Sequence, residues 1–542
     1  MMADDAYRAL GLVPPGARCP VPGPCQTIAE LLVPQLERDA SAPALAGRFS
    51  RLTYGELDGA VNAAAAAMRE RGIAAGDRVA MALANHPELV IAFLATQRIG
   101  AVWVGMNPAL APAEKRRLLG IAAPALLLCD GDTATQLADT NVAVLEVTPG
   151  QSSQWSEALA QHRGALAPQV DFDPFAPAAI AFTSGTTGTP KGVVHSQHNL
   201  CVVAEARLQQ VPEQNASVDG VALPLTILNV MTISTLTSLR SGGLSVLIDT
   251  LHPPELARRI AQERIGSMQM ASPTLYDLLN NPSIAHEDLA TLTSPGVGGA
   301  HVSDGLRDQY EQLFGREAMF GYGLTEAPTA VAAMRIDRPR RPGSSGLPLA
   351  HLEIGILDEG GRAVTSGGQG EICVRARDEG KWAGVYTPML GYWRKPDETA
   401  HALRGGWLHT GDFGLIDEAG ELHVKDRATD LILRGGANVF PVEIERAILQ
   451  VPGVAACSVV GLPDDRLGER IAVALELAAG SDGEDVLRSA QTLCAAQLAR
   501  YKRPEEWHVL DALPRNAMGK VVKSRLLAHL QVGGIDAEGT TP

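Results

Sequence analysis

Residues 180–200 read IAFTSGTTGTPKGVVHSQHNL: an apolar run, a segment of glycine, serine and threonine, one lysine, and a second apolar run. Ser184, Gly185, Thr186, Thr187, Gly188 and Thr189 offer four hydroxyls and several backbone N–H groups that no bulky side chain obstructs. Phosphate oxygens are held by such donors, and glycine lets the backbone come close to them. Lys191 adds a compact positive charge. A flexible Ser/Thr/Gly linker is the competing reading. It does not account for AAIAF (178–182) and GVV (192–194), strand-like runs that close on the segment from both sides. Nor is this a Walker A loop, because Gly192 stands where Ser or Thr would hold magnesium. The stretch predicts a loop that wraps a polyphosphate.

Outward from this loop the chain alternates. TYGELDGAVNAAAAAMRERG (from residue 53) has the pattern of a helix, DRVAMALA of a strand, HPELVIAFLATQRIGA of a helix and VWVGMN of a strand. Beyond the loop, GGLSVLID, HPPELARRIAQERIG and SMQMAS continue the series. Short apolar strands alternating with amphipathic helices imply doubly wound α/β sheets. Between residues 405 and 440 glycines, charges and short strands crowd together, which predicts a domain junction. The segment 430–530 has the length of one compact α+β unit, and QVGGIDAEGTTP reads as a mobile tail.

The bulk numbers narrow the function. The chain has 542 residues and a formal net charge of −15, a poor balance for general binding of nucleic acid or an anionic membrane. An anionic ligand must then be held by local donors. The first residues, MMADDAYRALGLVPPGARCP, carry no apolar core of signal-peptide length, and no apolar run reaches membrane-spanning length. The seven cysteines are scattered without a CxxC pair, against both a disulfide framework and a zinc site. A cytoplasmic location is the expectation.

TSGTTGTPKG (183–192) resembles the phosphate loop of the adenylate-forming, or AMP-binding, superfamily, which includes acyl-CoA synthetases, adenylation domains of peptide synthetases and firefly-type luciferases. Four further stretches resemble its motifs in the same order: GYGLTE (321–326), WLHTGD (407–412), DRATDLILRGGANVFPVEIE (426–445) and LPRNAMGK (513–520). The resemblance runs from about residue 25 to 530. It implies a large N-terminal domain of doubly wound mixed sheets at 1–426, a hinge at 427–430, a small mobile α+β domain at 431–530 and a flexible tail at 531–542. It also implies a reaction in two halves. A carboxylate attacks the α-phosphate of ATP to give acyl-AMP and pyrophosphate; a thiol, usually that of coenzyme A, then displaces AMP. Both reactants of the first half are anionic, so the site must stabilise charge gathering at phosphorus.

By the same resemblance, Thr183, Ser184, Gly185, Thr186, Thr187 and Lys191 hold the phosphates. Tyr322 stacks on adenine beside Gly323, with Gly298, Gly299 and Ala300 as a flat backbone next to it. Thr325 touches the α-phosphate and Glu326 binds Mg2+. Asp412 accepts the ribose hydroxyls, supported by Arg427, and Lys520 bridges the acyl carboxylate and the α-phosphate. Gly435 and Gly436 line the tunnel for coenzyme A. Outside a motif each would read blandly: a solvated Glu or Lys, a surface arginine, a packed tyrosine. His195 and His198 are expected only to pack or cap.

Three positions depart from the family pattern. Thr226 and Ile227 stand where many acyl-CoA synthetases carry an aromatic residue and a histidine, Phe320 where Gln or Asn is common near adenine, and Thr429 where the hinge is more often Asp or Lys. The acyl pocket is assigned to Thr226, Ile227, Leu228, Asn229, Leu324 and Ala327. None is acidic, so an amino acid's ammonium would lie unpaired there, at high cost. The leading expectation is an AMP-forming acid–CoA ligase for an apolar small-molecule carboxylic acid, with ATP, Mg2+ and coenzyme A. A stand-alone enzyme loading an aryl or amino acid onto a carrier protein is the alternative, and a non-catalytic adenylate-binding relative the second. No insertion interrupts the hinge as in ligases that exclude coenzyme A, and no carrier domain is read after it.

Overall fold

In the computed structural model the described residues are 4–183, 189–208, 217–297, 304–315, 319–335, 338, 341, 343–358, 360–365, 367–427, 432–439, 441–478, 480–514, 521 and 523–533. The helix Tyr54–Glu70 begins where sequence places it: Thr53 accepts from the N–H of Glu56 and Glu56 reaches back to the N–H of Thr53. This reciprocal cap satisfies two of the donors a helix start leaves open. The helix Pro87–Arg98 is buried on nearly every side, and its sequence is apolar almost all round, as a helix wedged between layers must be.

These helices pack against two large sheets. A seven-stranded sheet has the order 391–392, 191–196, 177–183, 102–105, 78–82, 126–129, 143–146. A nine-stranded sheet runs 347–348, 327–333, 319–324, 294–297, 267–270, 218–221, 244–247, 43–46, 51–53. The strands 177–183, 102–105, 78–82, 126–129 and 143–146 of the first sheet are mutually parallel, and 191–196 and 391–392 add an antiparallel edge. The second sheet is parallel from 319–324 to 43–46 and is closed at both edges by antiparallel strands. The alternating pattern predicts parallel, doubly wound layers; the antiparallel strands added to them make both sheets mixed, as the family resemblance implies. One apolar core continues through both, from Leu45 and Tyr54 to Trp103, Leu200 and Val331.

A four-stranded antiparallel sheet comes next, in the order 352–357, 370–376, 408–416, 422–427. A five-stranded sheet is last, with Gly468–Leu477 at its centre between Val454–Asp464 and Glu506–Leu510, and with its own core around Ile432, Ile444, Val459 and Val473. The crowded 405–440 stretch is therefore the last hairpin of one sheet and the first hairpin of the next. The link between them, with Thr429, lies outside the described residues, as does the tail beyond 533. Among the described residues no helix is long and apolar enough to cross a membrane.

Candidate active site

The glycine-rich loop is the connection of a hairpin. Pro177–Thr183 and Lys191–Ser196 are antiparallel, and Thr183 and Lys191 face each other as the last register pair. The cradle thus hangs off the end of a paired strand, with its lysine fixed at the mouth. Ser184, Gly185, Thr186 and Thr187 lie outside the described residues. Lys191 Nζ stands 4.9 Å from the centre of the Tyr392 ring. That tyrosine belongs to the edge strand Gly391–Tyr392, which pairs with Val193 and Val194 beside the loop. Its hydroxyl donates to Glu326 Oε1 at 2.9 Å. Burial, and then the carboxylate of Glu326, push the phenol far above its ordinary value, so it stays a donor. Sequence reasoning missed Tyr392. Its signal was GYW (391–393), a paired aromatic after glycine in a chain only 4% aromatic.

Thr325 and Glu326 form the turn between the antiparallel strands Met319–Leu324 and Ala327–Ala333. Two contacts pin this turn from behind. The N–H of Met389 donates to the carbonyl of Glu326 at 2.8 Å, and His195 Nε2–H donates to the carbonyl of Thr325, also at 2.8 Å. Asn199 Nδ2 donates to the other ring nitrogen at 3.0 Å, which fixes the tautomer. Burial pushes His195 down to about 4, so the ring is neutral at physiological pH. Expected only to pack, His195 positions the signature turn. His198 packs as expected, stacked on Phe175, with Nε2 at 2.8 Å from the carbonyl of Cys19.

Tyr322 donates its hydroxyl to Asp412 Oδ2 at 2.6 Å, tying the signature strand to Leu408–Ile416. Asp412 is buried, and its backbone N–H donates to Thr410 Oγ1. Behind it Glu371 accepts from the N–H of Gly411 at 3.0 Å and lies 2.7 Å from His409 Nδ1, bracing the WLHTGD turn. Arg427 sits opposite Asp412 in register, although its side chain is outside the described set. Gly298, Gly299 and Ala300 also lie outside it. They come directly after Gly296 and Val297, whose backbone runs in register beside Met319 and Phe320; the Phe320 side chain is not described.

Thr183, Lys191, Tyr322, Gly323, Thr325, Glu326 and Asp412 all open onto one cavity of about 1830 Å³. It also receives Thr226, Ile227, Leu228, Asn229 and Leu324. Its volume exceeds an ordinary ligand pocket because the spaces beside Lys191 and Asp412, beside Thr226–Asn229 and beside Gly435–Gly436 are continuous. Ala327 is a correction: it is fully buried in the core, because strand alternation turns the position after the motif away from the cavity. The acyl side is largely aliphatic, with Leu223, Val230, Ile233 and Met268. Two buried polar atoms, Thr226 Oγ1 and Asn229 Oδ1, have no partner among the described residues. Asp219, which no motif singles out, also reaches the wall. Burial raises its carboxyl, and Ser217 donates to it at 2.8 Å, so it is a satisfied acid rather than a vacant seat for an ammonium.

Gly435 and Gly436 form the two-residue turn between Ile432–Arg434 and Ala437–Val439, with φ of +59° and +80°. Two consecutive left-handed residues make a hairpin turn that glycine adopts most readily. This turn lines the same cavity, together with Glu443, Tyr501 and Lys502. Lys520 lies outside the described residues. Its neighbour Lys523 donates to the carbonyl of Val459 at 3.0 Å and pairs with Glu445 at 3.4 Å.

The family model described as AMP-binding enzyme matches residues 33–393, and the one for the AMP-binding enzyme C-terminal domain matches residues 443–520. A feruloyl-CoA synthase from Amycolatopsis sp is 32% identical over 88% of this chain and 93% of its own length. The long-chain-fatty-acid–CoA ligase FadD13 of Mycobacterium tuberculosis is 30% identical over 88% and 92%. Among solved structures, the amide bond synthetase McbA from Marinactinospora thermotolerans superposes with a TM-score of 0.80 at 29% identity, covering 93% of this chain and 99% of that one.

Proposed function

The chain belongs to the AMP-binding enzyme family and is an acyl-CoA ligase of that family; from that premise we propose how its residues divide the work and which acids it takes. The observation that carries the reading is the single cavity that joins Lys191, Thr325, Glu326, Tyr322 and Asp412 to the Gly435–Gly436 turn. In the first half a carboxylate oxygen attacks the α-phosphorus of ATP and pyrophosphate leaves. Lys191 and the loop it closes hold the departing phosphates, and the Thr325 hydroxyl donates to the α-phosphate. Asp412 accepts the ribose hydroxyls; a carboxylate has acceptor sites enough to keep the bond from Tyr322 as well. Lys520, carried on the small domain, neutralises the carboxylate and the α-phosphate as they approach.

Glu326 offers hard oxygen donors at the cavity wall, and its carboxylate accepts from the neutral hydroxyl of Tyr392, a setting that fits Mg2+. When bound there, the ion would offset phosphate charge. In the second half the thiol of coenzyme A attacks the acyl carbonyl and AMP leaves, with the glycine turn leaving room for a narrow pantetheine arm.

The acid is apolar and bulky or extended. The aliphatic wall supports this, as does Asp219, an acid at the wall that is already satisfied and so offers no seat for an amine. The relatives' acyl groups, feruloyl and long-chain fatty, carry no amine and set the panel to screen. The test is ATP–pyrophosphate exchange over such a panel, then mass measurement of products with coenzyme A. ADP and phosphate in place of AMP and pyrophosphate would overturn the adenylation mechanism. An α-amino acid outperforming its deamino analogue would overturn the pocket assignment.

A further inference from the structure

Glu114 lies in the first turn of the helix Pro112–Ala122, within the large body of the chain, and Lys502 in the short turn Arg500–Lys502 of the small one. They meet across the cleft. Lys502 Nζ donates to Glu114 Oε1 at 2.7 Å and to Glu443 Oε1 at 3.0 Å, while the N–H of Ala499 donates to Glu114 Oε2 at 3.1 Å. The side chains of Lys502, Glu114 and Glu443 are only 8%, 8% and 11% exposed. Burial works against the Lys502 ammonium, yet Tyr501, Glu443 and Glu114 outweigh it and raise its affinity for the proton. Among the described residues one other ion pair spans the cleft, Arg466–Asp277, with the arginine half exposed. Exposed pairs fix little. A buried set of charges fixes much, because losing one member leaves the others uncompensated.

Glu443 opens the helix Pro441–Ile448, which comes almost directly after the Gly435–Gly436 hairpin. Clamping Lys502 to both carboxylates therefore sets the hairpin's position relative to the large body. We propose that Glu114 is a positioning residue for the thiol half of the reaction: through Lys502 it seats the small domain so that Gly435–Gly436 face the cavity. The proposal rests on the assignment of that turn to coenzyme A. Adenylation needs Lys520, on the same small domain, in that cavity, so the Glu114–Lys502 contact opens for the first half and closes for the second.

Glu114→Gln tests this, since it removes the charge while keeping an oxygen acceptor for the N–H groups of Ala111 and Ala499. Expected are a fall of about tenfold or more in kcat/KM for coenzyme A with presynthesised acyl-AMP, and pyrophosphate exchange within about twofold of wild type. A Glu114→Gln, Lys502→Gln double variant should be no worse than the poorer single one. Domain position is read independently of chemistry by pulsed electron paramagnetic resonance between labels at Arg258 and Arg488, both well exposed. The distance distribution should broaden in Glu114→Gln. Equal losses in both half-reactions at unchanged thermal stability, or a wild-type distance distribution, would overturn the proposal. If wild type makes no thioester with coenzyme A, the acceptor assignment fails, and with it the role in the thiol half; a broadened distribution would still support the clamp itself.

Discussion

Lys191 and Glu326, proposed to act on one polyphosphate, meet at a single phenol. The Tyr392 face receives the ammonium and its hydroxyl meets the carboxylate. Tyr392→Phe keeps the ring and removes only the donor to Glu326. A hydrogen bond to a charged group contributes about 1.5–3 kcal/mol, so KM for ATP with Mg2+ should rise roughly tenfold or more, measured by pyrophosphate exchange. Thioester formation from supplied acyl-AMP should stay unchanged, because no pyrophosphate is held at that step. Lys520→Ala should lose about 10²–10³-fold in acyl-AMP formation, the usual effect of removing one transition-state contact, and still convert acyl-AMP with coenzyme A. If it adenylates at the wild-type rate, the lysine assignment is wrong. Lys523 is then a poor substitute, being held by Val459 and Glu445. That Lys191, Glu326 and Asp412 belong to one site was legible in the sequence because each stands in a local motif, and all three open onto one cavity. Tyr392 and Glu114 were not, because their roles depend on partners 66 and 388 residues away.

At the scale of elements, the Gly435–Gly436 turn has two requirements that a variant can separate. Its φ values are left-handed, and its surface faces the cavity. Gly436→Trp violates both, whereas Gly436→Asn brings a short side chain that tolerates the left-handed region. Gly436→Asn should therefore retain most thioester formation, and Gly436→Trp should lose it while pyrophosphate exchange persists. Circular dichroism of both variants guards against simple unfolding. Equal loss of both half-reactions in a folded Gly436→Trp would remove the tunnel assignment. The helices were readable because a period of 3.6 is written in local residues, and the parallel strands because, buried on both faces, they read as short continuous apolar runs. That the phosphate loop returns as an antiparallel strand was not, since strand direction is set by neighbours distant in sequence. The 405–440 stretch was read as a junction from its crowded glycines and charges; that it consists of two hairpins of different sheets was not legible, because sheet membership depends on distant partners.

The whole molecule carries an acid sensitivity in its buried imidazoles. Burial pushes His195 and His198 down to about 4 and His351 to about 3. An unfolded histidine titrates near 6.5. As pH falls from 6.5 towards 4, the unfolded chain takes up these protons and the folded chain does not, so stability falls with pH across that window. Each group contributes at most about 1.4 kcal/mol per pH unit, and the three together about 4. His86, which burial also pushes down, adds to the fall, while Asp219 and Glu443, whose carboxyls burial raises, work in the opposite direction. His351 is fully buried beside the same cavity and has no assigned part in the chemistry. Neither of its nitrogens has a partner among the described residues, and its ring meets Trp382 and Tyr386 edge-on. His351→Phe replaces an unsatisfied ring with an apolar one of similar shape, and loses no hydrogen bond that the described residues provide. Thermal unfolding measured from pH 7.5 to 5 should show Tm of the variant close to wild type at the upper end. Towards the lower end the variant should melt higher, with a shallower dependence of Tm on pH, because one proton uptake has been deleted from the unfolded state. Parallel curves for the two proteins would mean that His351 binds its proton equally in both states, and burial would then not be what governs the acid limb.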